Sequence, residues 1–454
     1  MSTAETAWVP AFAGTTGEGG NPAPTVTPAP TVTPAQAGVQ PVPGGGAEDS
    51  KLDDAIGPDG LVADELPEHD ALLNEDWISL SDPDLSGLEL QLVQTAMSGS
   101  RLTYGPMVAR FEASFARWLG REHAVSVASG TLGTWLALRA LGIGPGDEVI
   151  ASPHGWHQVA QAVTLAGATL VFSDINYWTG CLDPVRAATK ITPATKAILA
   201  GNVNGHPAAW APLRALAVER GIALIEDSTE AIGSRYQGQM VGTFGDVAIF
   251  DFSQPSALAC GDGAMVVTDD EKLAIELRYL RQRSVKDRNA IAVGARVPLQ
   301  AGISELSAAM GVGQLARIDE LLTRRKEIEA LYLAEMSSFE GIKPPYIGQD
   351  VDEVHFMVWM VHLGTRFTAS ARKQIVEDMA ANFIETAPYC KPLHQQFHYQ
   401  QLGWKRGHLP LAERIGDRAL ALPFHAQLDV DEIRFLVGTL KDAATNVGAG
   451  AAIY

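Results

Sequence analysis

Three residues between an apolar run and a helical pattern have the chemistry to hold an anion. Ser129, Gly130 and Thr131 follow "HAVSVA" and open "GTLGTWLALRAL". A helix start offers free backbone N–H groups, a glycine permits close approach, and a hydroxyl can add a donor. The pattern therefore predicts an anion cradle. The alternative is an ordinary cap, in which the serine satisfies only the helix's own N–H groups.

A second candidate is the acid that ends the apolar run in "ALIEDSTEAIGS". Asp227, preceded by Glu226, stands at the predicted carboxyl end of a buried strand, where α/β sheets bind ligands. A carboxylate there can hold a protonated ring nitrogen through a charge-assisted hydrogen bond. The alternative is that Asp227 caps the next helix.

A third candidate is the aromatic residue in "SPHGWHQ". Trp156 follows a predicted strand end and lies beside His154 and His157. Its indole can stack on a planar ring, and either histidine can act as a base. The alternative is that the tryptophan packs in the core or a lid while the histidines face solvent.

The elements that must position these residues alternate along the chain. Short apolar runs such as "DEVIASP" and "VAIFDF" alternate with helical patterns such as "APLRALAVERG". This spacing predicts an α/β fold with a mainly parallel sheet covered by helices on both faces. We expect a disordered Pro/Ala/Thr/Gly-rich tail over 1–75, a large domain over 76–325 and a smaller α+β domain over 326–454.

Composition excludes several classes of function. The formal charge of −19 on 454 residues disfavours binding to nucleic acid or to an anionic membrane. The three cysteines are far apart and form no CxxC pair, so we expect no disulfide framework and no metal site. The chain has no long apolar run and its start lacks a signal-like pattern, which together favour the cytoplasm.

Taken together, these motifs resemble the DegT/DnrJ/EryC1/StrS sugar aminotransferases, a family of fold-type-I pyridoxal-phosphate enzymes. The resemblance covers roughly four-fifths of the chain and includes "LGIGPGDEVI", "LIEDSTEAIGSRYQGQMVGTFGD", "GDGAMVVTDD" and "ISELSAAMGVGQLARID". It implies a dimer, either with itself or with a related subunit, whose active sites are completed by the neighbour. It also implies a small-molecule substrate of the nucleotide-sugar kind.

The resemblance also assigns roles to individual residues. Gly130 and Thr131 would contact the phosphate of pyridoxal or pyridoxamine phosphate. Trp156 would stack on the pyridine ring, and Asp227 would pair with the ring nitrogen. Glu230 would take the place near the ring hydroxyl where the family often has Gln or His.

The family's Schiff-base lysine is missing from its usual place. It usually stands about five residues before a G-[DE]-G turn, which here gives Ser256, and a shift of one residue gives Pro255 or Ala257. No lysine occurs between Lys196 and Lys272. A serine also lacks the basicity of the histidine found at this position in one branch of the family, which uses its cofactor without a covalent link.

Two further positions depart from the family pattern. Asp251 in "FDF" stands where the family tends to have a phosphate-binding serine, and Gln300 replaces an Asn that reaches the partner's phosphate. A carboxylate about 4 Å from a phosphate is repelled by roughly 4 kcal/mol per unit charge at an effective dielectric near 20. We expect the pocket to be kept but ordinary transamination to be lost.

The sequence leaves three hypotheses open. The first is an enzyme of this family that acts on a nucleotide sugar or similar molecule, with Ser256 in place of the lysine and any cofactor held non-covalently. The second is a relative that no longer transaminates and serves as a binding or scaffold subunit. The third is different chemistry in the inherited pocket. A lysine from a distant loop, such as Lys286, would be needed to rescue an imine.

Overall fold

The structure is a computed structural model that describes residues 77–155, 158–282, 299–337 and 341–449. The tail predicted over 1–75 lies outside these residues. So do Trp156, His157 and Lys286, to which the sequence assigned possible roles.

The strands form three sheets. In chain order they are β1 His123–Val127, β2 Glu148–Ala151, β3 Thr169–Phe172, β4 Thr195–Gly201, β5 Ala223–Asp227, β6 Arg235–Tyr236, β7 Gln239–Met240, β8 Val247–Asp251, β9 Ala264–Thr268, β10 Ile342–Lys343, β11 Val351–Glu353, β12 Trp359–Leu363, β13 Ala387–Pro388 and β14 Ala419–Leu422.

The α-helices connect and cover these strands. They are α1 Gly87–Met97, α2 Pro106–Leu119, α3 Gly130–Ala140, α4 Gln158–Leu165, α5 Pro184–Ala188, α6 Trp210–Arg220, α7 Glu271–Arg281, α8 Glu305–Ala316, α9 Ile318–Met336, α10 Ala369–Ala381, α11 Phe397–Gln401, α12 Pro410–Gly416 and α13 Val430–Ala444.

The central sheet has the strand order β1-β9-β8-β5-β4-β2-β3. Neighbouring strands from β8 to β3 run parallel, whereas β9 pairs antiparallel with both β1 and β8. The prediction of a mainly parallel sheet is confirmed. Its middle strands are apolar and buried along their length because helices cover both faces, as β8 shows with five buried residues in succession.

Two apolar cores lie on the two faces of this sheet. Successive side chains of a strand point to opposite faces. Accordingly, Val247 and Ile249 of β8 belong to one cluster, and Ala248 and Phe250 belong to the other. The second cluster also contains the apolar residues of α8, which pack under α1 and α2.

The smaller sheet, β10-β12-β14-β13, has a core of its own. Its aromatic centre stacks Tyr332 on Trp359 at 4.9 Å between ring centroids, and Trp359 on Phe424 at 5.8 Å. Helix α9 joins the two parts, because Leu322 packs in a core of the large sheet and Ile328 in the core of the small one. The predicted boundary at 325/326 falls between these two residues.

The parallel strands bring the site together. Gly201 of β4 pairs with Asp227, and Asp227 pairs with Ile249 of β8, two residues before Asp251. The carboxyl ends of β4, β5 and β8 therefore meet at one edge. Within the ranges described above, no helix is both long and apolar enough to cross a membrane.

Candidate active site

Asp227 lies at the end of β5, as predicted, and is buried. Its Oδ1 accepts a hydrogen bond from the Thr229 backbone N–H at 3.1 Å, and its Oδ2 accepts one from Gln158 Nε2 at 3.4 Å. Burial raises the pKa of Asp227, the hydrogen bonds from Thr229 and Gln158 oppose this, and the charge of Asp251 adds to the rise. The bond to Thr229 closes a local turn, and Ser228, not Asp227, is the N-cap of the short helix Thr229–Ala231, so the capping alternative is wrong.

Glu230 is the most strongly perturbed acid of this edge. It accepts hydrogen bonds from the Asn204 backbone N–H and from the Tyr389 hydroxyl. Burial raises its pKa to about 7, against the lowering effect of these two bonds, and the neighbouring charge of Asp227 contributes to the rise. Glu230 can therefore hold or release a proton near neutral pH.

The anion cradle is already occupied by a side chain of the protein itself. Asp251 Oδ2 accepts a hydrogen bond from the Gly130 backbone N–H at 2.6 Å. Ser129 caps the same helix, because its Oγ accepts from the Leu132 N–H at 3.3 Å. Thr131 lies half-buried in the first turn of α3. The cradle and the cap, which the sequence offered as alternatives, are both present.

We tested whether this corner fits the phosphate of a pyridoxal cofactor. A Cβ built on Gly130 would lie 2.6 Å from Asp251 Oδ2 and 2.7 Å from Gln158 Oε1. The space beside the helix terminus is therefore filled by an acidic oxygen and an amide oxygen, both of which repel an anion. The residues present do not fit a phosphate group here.

Ser256 does not face the acids of the site. Its Oγ donates to the Leu258 carbonyl at 2.8 Å and accepts from the Leu258 N–H at 3.2 Å, so the hydroxyl is used within its own loop. It lines a small cleft that also contains Asp84 and Arg325. Its neighbour Pro255 lines the cavity that contains Glu230.

Two adjoining cavities share Glu230. The smaller, of about 20 Å³, is also lined by His154 and Asp227. The larger, of about 300 Å³, is also lined by Tyr389 and Lys391. A bigger open cleft of about 1010 Å³, lined among others by Trp210, Arg214 and Lys272, shares no lining residue with either. We place the site at the two cavities because they contain the perturbed acids.

Of the two histidines predicted as bases, His154 lies within the described residues. Its Nδ1 lies 3.2 Å from the Gly180 carbonyl oxygen, which fixes Nδ1 as the protonated nitrogen. Burial lowers the pKa of His154 to about 4, so the ring is neutral at pH 7. Among the described residues its buried Nε2 has no hydrogen-bond partner. Because its pKa is about 4, the ring is only a weak base near pH 7.

Gln300 is not brought into this cluster. It is exposed, next to Ala301, whose backbone N–H donates to the Arg281 carbonyl. Its predicted role toward a partner's cofactor stays a prediction, as does the stacking role of Trp156.

Sequence reasoning missed four residues of the site: Gln158, Asn204, Tyr389 and Lys391. Gln158 carried a signal, because a large polar residue in the first turn of a helix that follows a central strand lies near the ligand edge. Asn204 also carried a signal, because it follows the end of β4. Tyr389 and Lys391 come from a segment distant from Glu230 in sequence, and no local pattern marks them.

Comparison with known proteins identifies the family. The model of the DegT/DnrJ/EryC1/StrS aminotransferase family matches residues 83–441. The chain is 33% identical over 361 residues to GDP-perosamine synthase of Caulobacter vibrioides, covering 78% of this chain and 96% of the relative. It is 34% identical over 357 residues to dTDP-3-amino-3,4,6-trideoxy-alpha-D-glucose transaminase of Streptomyces venezuelae, covering 78% and 92%.

A solved structure shares the fold. DesV of S. venezuelae, in complex with a ketimine intermediate, matches with a TM-score of 0.72 at 32% identity, covering 78% of this chain and 94% of that chain.

Proposed function

Because the chain belongs to the DegT/DnrJ/EryC1/StrS aminotransferase family, we propose that it binds a nucleotide sugar or a similar small molecule without ordinary transamination. The names of two relatives refer to GDP- and dTDP-linked sugars, which supports this substrate class. The loss of transamination is supported by Ser256, whose hydroxyl is bonded within its own loop at the position that the resemblance assigns to the imine-forming lysine.

A pyridoxal-type ring would be held by contacts alone. The family and the ketimine in the solved relative support a cofactor of the pyridoxal phosphate class. When bound, such a cofactor supplies an electron-withdrawing ring that carries an amino group. In this chain Asp227 offers a carboxylate to a ring nitrogen, Glu230 offers a proton-holding carboxyl, and neither forms a covalent bond.

Lys391 is the main challenge to this proposal. It is exposed and lines the cavity that contains Glu230. Among the described residues, Lys391 is the lysine that lines this cavity, and its amine is the group that could form an imine with a cofactor. Tests for covalent attachment must therefore address Lys391 as well as Lys286.

A second candidate function is a binding or scaffold subunit that pairs with an active relative. The occupation of the anion cradle by Asp251 favours it, because a subunit without a phosphate site needs no cofactor. We propose a homodimer or such a heterodimer. The apolar run of α8 offers no surface for a partner, because Ala308, Ala309 and Val312 are buried within the chain. The exposed Leu90 and Met97 of α1 offer an apolar surface instead.

The test is to measure binding and turnover separately. Purified protein is titrated calorimetrically with dTDP-, GDP- and UDP-hexoses and then incubated with each 4-keto sugar, glutamate and pyridoxal phosphate. We expect saturable binding of at least one nucleotide sugar and no amino sugar product. Multiple turnovers at the rate of ordinary transaminases, about 1 per second or faster, would refute the proposal. Failure of all nucleotide sugars to bind would refute this substrate class and leave the subunit role or different chemistry in the pocket.

A further inference from the structure

The first turn of α3 is a fixed positive site in the large domain. The unpaired N–H groups and aligned peptide dipoles of a helix start favour a negative group there. The negative group at this helix start is the Asp251 carboxylate, which accepts a hydrogen bond from the Gly130 N–H and lies 121 residues further along the chain. It acts as an anionic ligand that the chain supplies to itself.

Both oxygens of this carboxylate are engaged. Oδ2 accepts from Gly130 N at 2.6 Å, and Oδ1 accepts from Ser253 N at 2.8 Å and Ser253 Oγ at 2.5 Å. The Asp251 backbone N–H donates to Thr229 Oγ1 at 3.1 Å, and Asp251 pairs with Ala264 where β8 and β9 run side by side. Asp251 is 5% exposed. Moving the side chain aside would break three hydrogen bonds around a buried charge.

The neighbouring groups add to the exclusion of a second anion. Gln158 directs its Oε1 toward the same space beside Gly130 while its Nε2 donates to Asp227 and Thr229. The charges of Asp227 and Asp251 act on each other, as do those of Asp227 and Glu230. A phosphate ester entering here would meet three acids, and the Gly130 N–H at the helix start is already bound to Asp251.

We infer that Asp251 is a specificity-determining residue. Its carboxylate occupies the position of a ligand's phosphate, so the pocket selects pyridoxal-type or similar ring compounds that lack a phosphate ester. This rests on the proposed function only in assuming that the inherited pocket still accepts a ligand. It predicts that phosphate affinity is absent from the wild type and returns when the carboxylate is removed.

The experiment compares wild type with Asp251→Ser, Asp251→Asn and the control Asp262→Ser, which removes a charge from an exposed position in the loop that follows β8. Inorganic phosphate is titrated against chloride at equal ionic strength while the unfolding temperature is recorded. Pyridoxamine and pyridoxamine phosphate are then titrated by fluorescence. Circular dichroism checks that each variant is folded, and the isosteric Asp251→Asn covers the case in which the serine variant is not.

We expect wild type and Asp262→Ser to show no stabilisation by phosphate and no preference for the phosphate ester. Asp251→Ser should bind the ester roughly 10- to 100-fold more tightly than wild type does, as charge-assisted hydrogen bonds to a helix start allow. Pyridoxamine affinity should change little. A wild type that prefers the ester tenfold or more, or an Asp251→Ser variant indistinguishable from Asp262→Ser in the phosphate titration, would overturn the inference. Nucleotide-sugar binding is measured separately, so either result leaves the proposed function to its own test.

Discussion

Two corners of the carboxyl edge of the central sheet hold their buried acids in different ways. At the helix start, Asp251 accepts three hydrogen bonds and is fixed in a strand ladder. At the other corner, Glu230 accepts two, and burial still raises its pKa to about 7. The difference shows that location near a ligand edge does not make an acid reactive. The two acids differ in how many donors hold them in place, three at Asp251 and two at Glu230.

The largest expected effect is a gain of covalent attachment in Ser256→Lys/Asp251→Ser. The new lysine supplies the missing amine, and the serine frees the Gly130 N–H for a phosphate. With pyridoxal phosphate, the double variant should show aldimine absorbance and a borohydride-reducible adduct, whereas wild type should show neither. The adduct is mapped by mass spectrometry.

Lys391→Met in the wild-type background is the matched control for that experiment. A stable wild-type adduct mapped to Lys391, to Lys286 or to any other lysine of the chain would return the protein to the ordinary aminotransferases. An adduct lost with Lys391→Met would identify the amine responsible.

The next effect concerns the pH dependence of stability through Glu230. Its pKa is raised to about 7 in the folded state, so the folded protein binds more protons than the unfolded chain between about pH 4.5 and 7. Its contribution to stability therefore falls as pH rises through that window, by at most roughly 3 kcal/mol. Glu230→Gln should abolish this loss. Urea unfolding at pH 5 and pH 8 measures it.

The exposed Glu327→Gln serves as the control and should keep the wild-type pH dependence. If wild type and Glu230→Gln lose stability equally between pH 5 and pH 8, Glu230 is already ionised at pH 5, and the contrast between the two corners disappears.

A smaller effect is expected from Asp251→Ala, which removes the carboxylate that accepts from the Gly130 N–H. The substitution leaves the Gly130 and Ser253 N–H groups without their acceptor and should cost about 2 kcal/mol in the free energy of unfolding. Asp262→Ala in the same loop should stay within about 0.5 kcal/mol of wild type. Equal losses in the two variants would mean that the helix start does not depend on this carboxylate. Urea unfolding at a fixed pH gives both values.

The sequence was sufficient to predict the strands of the central sheet and part of the site. Apolar runs bounded the strands of the central sheet, and the strand-end rule located Asp227, because both depend on local pattern. The repulsion of a phosphate by Asp251 was predicted, but its bond to Gly130 was not, since it joins residues 121 positions apart. Likewise, Tyr389 reaches Glu230 across 159 positions. Such contacts follow from tertiary packing, which no spacing within a motif encodes.

The antiparallel strand β9 has a consequence for how this site can change over evolution. Ala264 at its start pairs with both Asp251 and Val127, so the loop that carries Ser256 leaves and re-enters the sheet between adjacent strands at one edge. The loop itself is fixed by packing, because Phe252, Leu258 and Cys260 belong to the core cluster on one face of the sheet. A substitution at the half-buried Ser256 therefore changes the chemistry that this loop offers without requiring another strand to move.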